Sequence, residues 1–447
     1  MIIRGYHAVI RKQVGMYENP QGYIYRIRGD EKMKETQENI PLAIATIVLG
    51  IVVGFSSLIL SAILDVTEHY FLNFNETNKV PVNINIFPFH RFISVLVGGI
   101  IATIIWYFLQ RHYHPVSIKN ALSGRQMPLR KTFIHVVTQI FFVGTGNSIG
   151  RELAPREAGA AIAQKWSHVF DSYRWLHLND EDKRLLIAAA AGAGFAGVYI
   201  APITGTVFCL EILYRRINAR SVSVSLIMSV IATMIGSILK GFEPYYIVGS
   251  RDFSLMSVPL AIVLGLILGI VGTWFKQGVK AASRKRATGK NIFWQLPLLS
   301  FSAGTIAAFY PQIMGNGRGL AQLAMNTTRI NSQVLGALLF GLVAKVVVTL
   351  FTIKCGGYGG TLTPSIAAGA VIGVFLGIPY MHFFPIVTLT QCAVIGASLF
   401  LAASQQAPLM ALFMLFEVCH LNFTAFLPLG IGVAISIGIS KWMQAIR

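Results

Sequence analysis

Glu152 is the residue around which chemistry can be built. It sits in Gly150-Arg151-Glu152-Leu153-Ala154-Pro155, and the run Gly359-Gly360-Thr361-Leu362-Thr363-Pro364 parallels it later in the chain, with Thr361 in place of Glu152. A second matched pair follows: Ala201-Pro202-Ile203-Thr204 leads to Glu211, and Ala407-Pro408-Leu409-Met410 leads to Glu417, with ten residues from Ala to Glu in both. A helix that starts in apolar surroundings aims unpaired N–H groups and its positive dipole end at whatever lies before it. That makes an anion site without a cationic side chain. Gly146, Gly150, Gly359 and Gly360 let the backbone approach an ion closely, and Pro155 and Pro364 tolerate the missing donor of a first helical turn. Backbone donors also hold an ion loosely enough to release it, as conduction requires. A carboxylate at such a point is itself an anion. Ionised, it competes for the site; protonated, it leaves the site to a small anion.

The elements that position these residues belong in lipid. The chain is 54% hydrophobic and 12% charged, with a mean hydropathy of +0.62. That is about half the charge of a soluble domain. Residues 355–416 contain no Asp, Glu, Lys or Arg, a stretch long enough to cross a bilayer more than twice. Apolar segments read as spans run about 41–64, 92–109, 186–210, 222–239, 253–275, 291–317 and 334–353, then through the long uncharged field to a last span near 424–440. Segments 133–150 and 356–380 are too short or too glycine-interrupted for a simple crossing. The stretch 185–202 is rich in Ala and Gly, which lets helix backbones pack closely in lipid. Two related halves with broken helices predict an all-α polytopic membrane protein built from repeats that meet near mid-membrane. An ionisable residue there is by default functional.

The formal net charge of +19 reports orientation. Basic residues collect at 4–34, 111–131, 215–220 and 276–290, whereas the connections 73–85 and 241–254 hold few. The positive-inside rule places the first four in the cytoplasm and the last two outside. The basic clusters lack interleaved stacking aromatics, so a nucleic-acid partner is not indicated. Residues 1–40 are not a signal peptide and read as a cytoplasmic arm, with a turn at Asn19-Pro20-Gln21-Gly22. The chain stops at Arg447, soon after the last span, which leaves no room for a cytoplasmic regulatory domain. Cys209, Cys355, Cys392 and Cys419 lie in or beside apolar segments without metal-ligand spacing and read as packing residues. No cofactor or metal is called for, and His112 and His114 alone do not make a metal site.

The run Gly146-Asn147-Ser148-Ile149-Gly150-Arg151-Glu152 resembles the Gly-Lys/Arg-Glu signature of the CLC chloride channels and proton/chloride antiporters. Gly360-Thr361-Leu362-Thr363-Pro364 is similar to that family's Gly-x-Phe-x-Pro signature. The segments leading through Ala201-Pro202 to Glu211 and through Ala407-Pro408 to Glu417 resemble its two Ala-Pro helices, and Gly315-Asn316-Gly317 resembles a glycine turn between them. The resemblance spans about residues 41–443. It implies a compact, prokaryotic-type CLC member of two inverted repeats of broken and tilted helices, the first over about 41–220 and the second over about 221–443. It also implies a homodimer in the lipid bilayer with one pathway per subunit, in the plasma (inner) membrane of a prokaryote with its N-terminus in the cytoplasm. Glu152 is then the gating glutamate, with Gly150, Arg151, Gly360, Thr361 and Leu362 around the anion.

Departures from the family pattern bear on coupling. Glu152 is followed by Leu153-Ala154-Pro155-Arg156-Glu157 instead of Gly-Pro, which makes Glu157 a rival gate; its alternative reading is structural, paired with a neighbouring Arg or facing a surface. The family's serine-bearing anion motif aligns with His112-Tyr113-His114-Pro115-Val116, leaving Tyr113, or Ser117 after a shift, to line the path. The inner tyrosine falls on Asn422 or Phe423. The inner proton-carrying glutamate falls on Ile212, with Glu211 beside it as a substitute carrier or as a helix-end carboxylate paired with Arg215 at i+4. The resemblance therefore implies glutamate-gated chloride transport, coupled to proton exchange or, alternatively, passive through a voltage- or pH-gated channel. A fluoride exporter and a cation-coupled organic solute carrier are further alternatives. The solute carrier predicts more polar side chains in the spans than are present. An intramembrane hydrolase needs a nucleophile and base pair that the apolar field lacks; the chain is not read as an enzyme.

Overall fold

The computed structural model describes residues 20–446 except 83, 171, 172, 174, 175 and 329, with side chains from residue 39 onward apart from that of Phe170. The expected N-terminal arm lies outside the described residues as far as residue 19. From Pro20 the chain is helical, so no turn forms at 20–22 and no break marks residue 40.

Sixteen α-helices occur among the described residues, in two sets of eight. The first set is α1 (Pro20–Leu72), α2 (Pro88–His112), α3 (Ile118–Leu122), α4 (Leu129–Gly144), α5 (Leu153–Phe170), α6 (Asp180–Tyr199), α7 (Pro202–Phe208) and α8 (Ala219–Lys240). The second set is α9 (Ser257–Arg284), α10 (Ile292–Phe309), α11 (Arg318–Met325), α12 (Ser332–Lys354), α13 (Leu362–Phe383), α14 (Leu389–Gln405), α15 (Pro408–Val418) and α16 (Phe426–Ala445). Long and short helices recur in nearly the same order, with α5 matching α13 and α7 matching α15. The division therefore falls in the connection after α8, not near residue 220. Among the described residues, eight helices are long and apolar enough to cross a membrane.

The halves are inverted. In the first, Gly50 and Gly54 of α1 pack on Ile231 and Ile235 of α8, so the two helices run parallel. In the second, Gly265 and Gly269 of α9 meet Gly432 and Ser436 of α16, again parallel. The 241–256 connection joins the end of α8 to the start of α9 at one end of the bundle, so the second pair runs back against the first. That far end also holds the 73–85 connection, because Arg318 bonds both Glu76 and the Tyr245 carbonyl. The basic clusters 111–131, 215–220 and 276–290 share the other end: Gly289 N–H donates to Gln110, and Leu122 and Arg216 line one cavity there.

Two expected spans are broken. The 186–210 segment divides into α6 and α7 at Ile200, which adopts a left-handed φ of 54°. The 291–317 segment ends as helix α10 at Phe309 and continues into the glycine turn 315–317. The Ala- and Gly-rich α6 packs backbone to backbone on α5: a Cβ on Gly159 would strike the Ala190 carbonyl, and one on Gly194 the Pro155 carbonyl. Gly369 and Gly396 hold α13 against α14 in the same way. These contacts fix where the two interrupted helices begin.

Candidate functional site

The loops before α5 and α13 meet in the interior. Gly150 N–H donates to the Gly360 carbonyl at 2.9 Å and Gly360 N–H to the Gly150 carbonyl at 2.7 Å. Both helices thus start at one point, with Glu152 and Thr361 as the residues just before them. Glu152 is completely buried. Its Oε1 accepts the Leu362 N–H at 2.5 Å, and its Oε2 lies 3.5 Å from the Thr363 hydroxyl, which in turn meets the Tyr199 hydroxyl at 3.0 Å. A Cβ on Gly150 or Gly360 would fall inside the Glu152 carboxylate. The two glycines are what make room for it. Chemically, a carboxylate occupies the free backbone donor at the start of α13, the place where an external anion would be held.

The loop carrying Glu152 is held from several sides. Asn147 donates to the Val95 carbonyl at 3.0 Å and accepts from Ser300 at 2.8 Å. Gly146, at φ +96°, accepts the Gly315 N–H at 3.1 Å and so ties this loop to the glycine turn. Arg156 donates from Nε to the Glu152 carbonyl at 2.6 Å and stacks on Phe208.

Arg151 does not point at the Leu362 N–H. Its guanidinium reaches the far-end connection, 3.1 Å from Glu76 Oε2, and lies over the Tyr245 and Tyr199 rings. Arg318, at the start of α11, binds Glu76 Oε1 at 2.6 Å. All three side chains are nearly buried. Burial alone would raise the Glu76 carboxyl, but Arg151 and Arg318 hold it down to about 2. With Tyr245, Tyr199 and Lys240 they line a cavity of only about 30 Å³ between the Glu152 point and the far end.

The structure relocates several expected residues. Glu157 forms no ion pair with an Arg among the described residues: it is buried, accepts from Gln139 Nε2 at 2.7 Å, and lies 3.5 Å from His135 Nε2. Trp106 donates to His135 Nδ1 at 3.2 Å, which leaves the ring proton on Nε2, facing Glu157. Glu211 does not pair with Arg215. Both its oxygens cap α15, accepting the Leu409 and Met410 N–H groups at 3.0 and 2.9 Å. Glu417 returns the favour to α7, accepting the Ile203 and Thr204 N–H groups at 2.8 and 2.7 Å. The repeat has produced a reciprocal pair of helix caps.

Tyr113 ends α2, with its hydroxyl 3.3 Å from both the Thr132 hydroxyl and the Val116 N–H. Ser117 is exposed and caps α3 through the Asn120 N–H. Neither touches Glu152. Asn422 and Phe423 are not at the basic end at all: Asn422 N–H donates to the Arg251 carbonyl and Thr424 accepts from Phe253 N–H, both in the far-end connection. Phe423 is 85% exposed there. Neither can supply the expected inner residue. Among the described residues no cluster of metal ligands occurs and the four cysteines are unpaired.

Sequence reasoning missed Glu76, Arg318, Tyr199 and Lys345. Lys345 was legible as the lone charge in the apolar run 332–353, where reading the whole segment as a plain span concealed it. The others sit in or beside connections whose partners are distant in sequence, and no local pattern marks them.

Comparisons with known proteins bear on the family and the fold. A family model described as voltage gated chloride channel matches residues 98–441. A voltage-gated ClC-type chloride channel ClcB of Salmonella typhimurium is 26% identical over 390 residues, covering 84% of this chain and 90% of that protein. The protein of the same name from Escherichia coli O17:K52:H18 is 26% identical over 389 residues, with the same coverage. Among solved structures, a slow cyanobacterial Cl-/H+ antiporter superposes with a TM-score of 0.76 at 21% identity, covering 90% of this chain and 95% of that one. A CLC-type fluoride/proton antiporter gives 0.68 at 22% identity with the same coverage. At these identities the structures speak to fold alone.

Proposed function

This chain belongs to the voltage gated chloride channel (CLC) family, a family of transporters and not of enzymes, and on that premise we propose that it exchanges chloride for protons, with Glu152 as the gate. The single observation that carries this reading is the Glu152 carboxylate seated on the Leu362 N–H where α5 and α13 begin. The carboxylate stands in for the transported anion. Protonation removes its charge, weakens its hold on the helix start, and leaves the Leu362 N–H, beside the paired Gly150 and Gly360, to a chloride. Only a small anion suits a point built from backbone donors and enclosed by two glycines. Thr361 and Thr363 flank it, and Arg151 lies behind it, tied to Glu76.

Passive conduction is the second reading, and one observation favours it. Glu211, the substitute inner proton carrier, spends both oxygens capping α15, and Ile212 beside it cannot carry a proton. Under the first reading water completes the inner proton path.

We also propose that the working unit is a homodimer. The reciprocal caps Glu211 and Glu417 are only partly buried, between Ile203 and Leu409, which are 42% and 44% exposed. Carboxylates facing lipid are costly, and a second copy over α7 and α15 would cover them.

Reversal potential decides between the two modes. Purified protein in liposomes under a chloride gradient, with and without an opposing pH gradient, should show chloride-driven proton uptake and a reversal potential displaced by the pH gradient. Robust chloride flux with no proton uptake would establish the channel.

A further inference from the structure

Lys345 lies 13 residues into α12 and is completely buried. Its ammonium donates to Ser148 Oγ at 2.8 Å, to the Gly315 carbonyl at 2.7 Å and to the Ile313 carbonyl at 3.2 Å. All three partners are neutral. No carboxylate among the described residues forms an ion pair with it. The fold makes room for this cation deliberately: Gly317 adopts φ +97°, and a Cβ there would lie 2.7 Å from Lys345 Cε. A buried ammonium without a counter-ion is expensive in a membrane interior; its three oxygen partners offset part of that cost, and an anion nearby would offset more. Ser148, which it grips, precedes Gly150 by two residues, and Gly150 adjoins the Glu152 carboxylate, so the ammonium lies within about 16 Å of the point where that carboxylate rests.

We propose that Lys345 is a positioning cation for the transported anion: it supplies the fixed positive charge that the Glu152 carboxylate and the chloride share in turn. This rests on the reading of the Glu152–Leu362 point as the anion site. With either anion in place the charge is balanced, and the cation raises the affinity for both. A unit charge about 10–16 Å away, at an effective dielectric near 20, changes anion affinity roughly 6- to 16-fold, about tenfold at the middle of that range.

Chloride binding measured by isothermal titration on the purified protein tests this. In the Glu152→Gln background, where no carboxylate competes, adding Lys345→Gln or Lys345→Met should weaken chloride binding about tenfold at unchanged melting temperature. Lys345→Arg should hold it within about twofold. In the wild-type background the same neutral substitutions should change apparent affinity less than about threefold, because the competing carboxylate loses the same attraction. Equal affinity with and without Lys345 in the Glu152→Gln background would overturn the inference. So would an equal loss in both backgrounds, or neutral variants that do not fold while Lys345→Arg does, since Lys345 would then serve only to tether the loops. Absence of chloride binding to Glu152→Gln itself would instead refute the anion site.

Discussion

Replacing Glu76 with Gln should remove the charge that joins the Glu152 loop to the far-end connection. In the native protein Arg151 and Arg318 bracket this carboxylate, and all three side chains are at most 8% exposed. The Glu76 carboxyl lies at about 2, against an ordinary value of 4.5. Because the folded value is depressed, the stabilisation is fully present above the unfolded value and is lost as pH falls from about 4.5 through about 2. The gap corresponds to about 3 kcal/mol at neutral pH, and more than half of it is gone by pH 3. Removing one partner of a buried ion pair costs about 3–5 kcal/mol, since the cations are left behind uncompensated. Thermal unfolding of the purified protein in detergent at pH 7 should therefore show the Glu76→Gln variant melting several degrees lower. The difference from wild type should at least halve at pH 3. A double substitution with Arg318→Met should lose much less than the sum of the single effects. Equal melting temperatures at pH 7, or a gap that does not narrow on acidification, would refute the claim that these arginines hold the connection through Glu76.

Four further outcomes are expected. Glu152→Gln should keep chloride flux in liposomes, abolish its pH dependence and stop proton movement; Glu157→Gln should leave gating intact, and unchanged pH dependence in Glu152→Gln would move the gate elsewhere. Gly360→Ala introduces a Cβ into the space of the Glu152 carboxylate, so flux at high pH should rise towards that of Glu152→Gln, measured in the same assay. Glu211→Gln and Glu417→Gln should each lower stability by about 1–2 kcal/mol through loss of a charged cap, with the pH profile of transport unmoved; a shifted profile would make Glu211 a proton carrier after all. Ile212→Glu should leave rate and coupling nearly unchanged if water already completes the inner path, and should increase chloride-driven proton uptake if it does not.

Much of this architecture was legible because the repeat is written in glycine and proline. Gly150 and Gly360 mark where two chains approach too closely for a side chain, and the Ala-Pro pairs mark where two helices restart. Such signals are local, and a sequence displays local signals well. Glu211 shows the limit. Its i+4 neighbour Arg215 suggested a partner, but the carboxylate is used by N–H groups 198 and 199 residues away, which only the packing of α7 on α15 brings near. Phe423 failed for a related reason. Counting from Glu417 or Pro428 gives a position along the chain but not an end of the bundle, and α15 runs towards the far end before α16 turns back. Lys345 was lost to averaging: hydropathy over a 20-residue window dilutes a single charge, although that charge is the expensive feature of the span.

The two halves began alike and differ where function needs asymmetry. At the start of α13 the preceding residue is Thr361, which leaves the helix's free donor open; at the start of α5 it is Glu152, whose side chain takes that donor. Two identical halves would give either two open helix starts with no gate or two carboxylates repelling each other across the Gly150–Gly360 bridge. On the proposed reading, one carboxylate facing one bare helix start is the arrangement in which a single proton decides whether the site holds the protein's own anion or a transported one. The same asymmetry recurs one helix earlier: His135 and Gln139 on α4 face Glu157, whereas the matching helix α12 places Lys345 beside the loop before α5. On the proposed reading the first half contributes the movable negative charge and the second half the fixed positive charge and the backbone donor. Neither half would make the site alone.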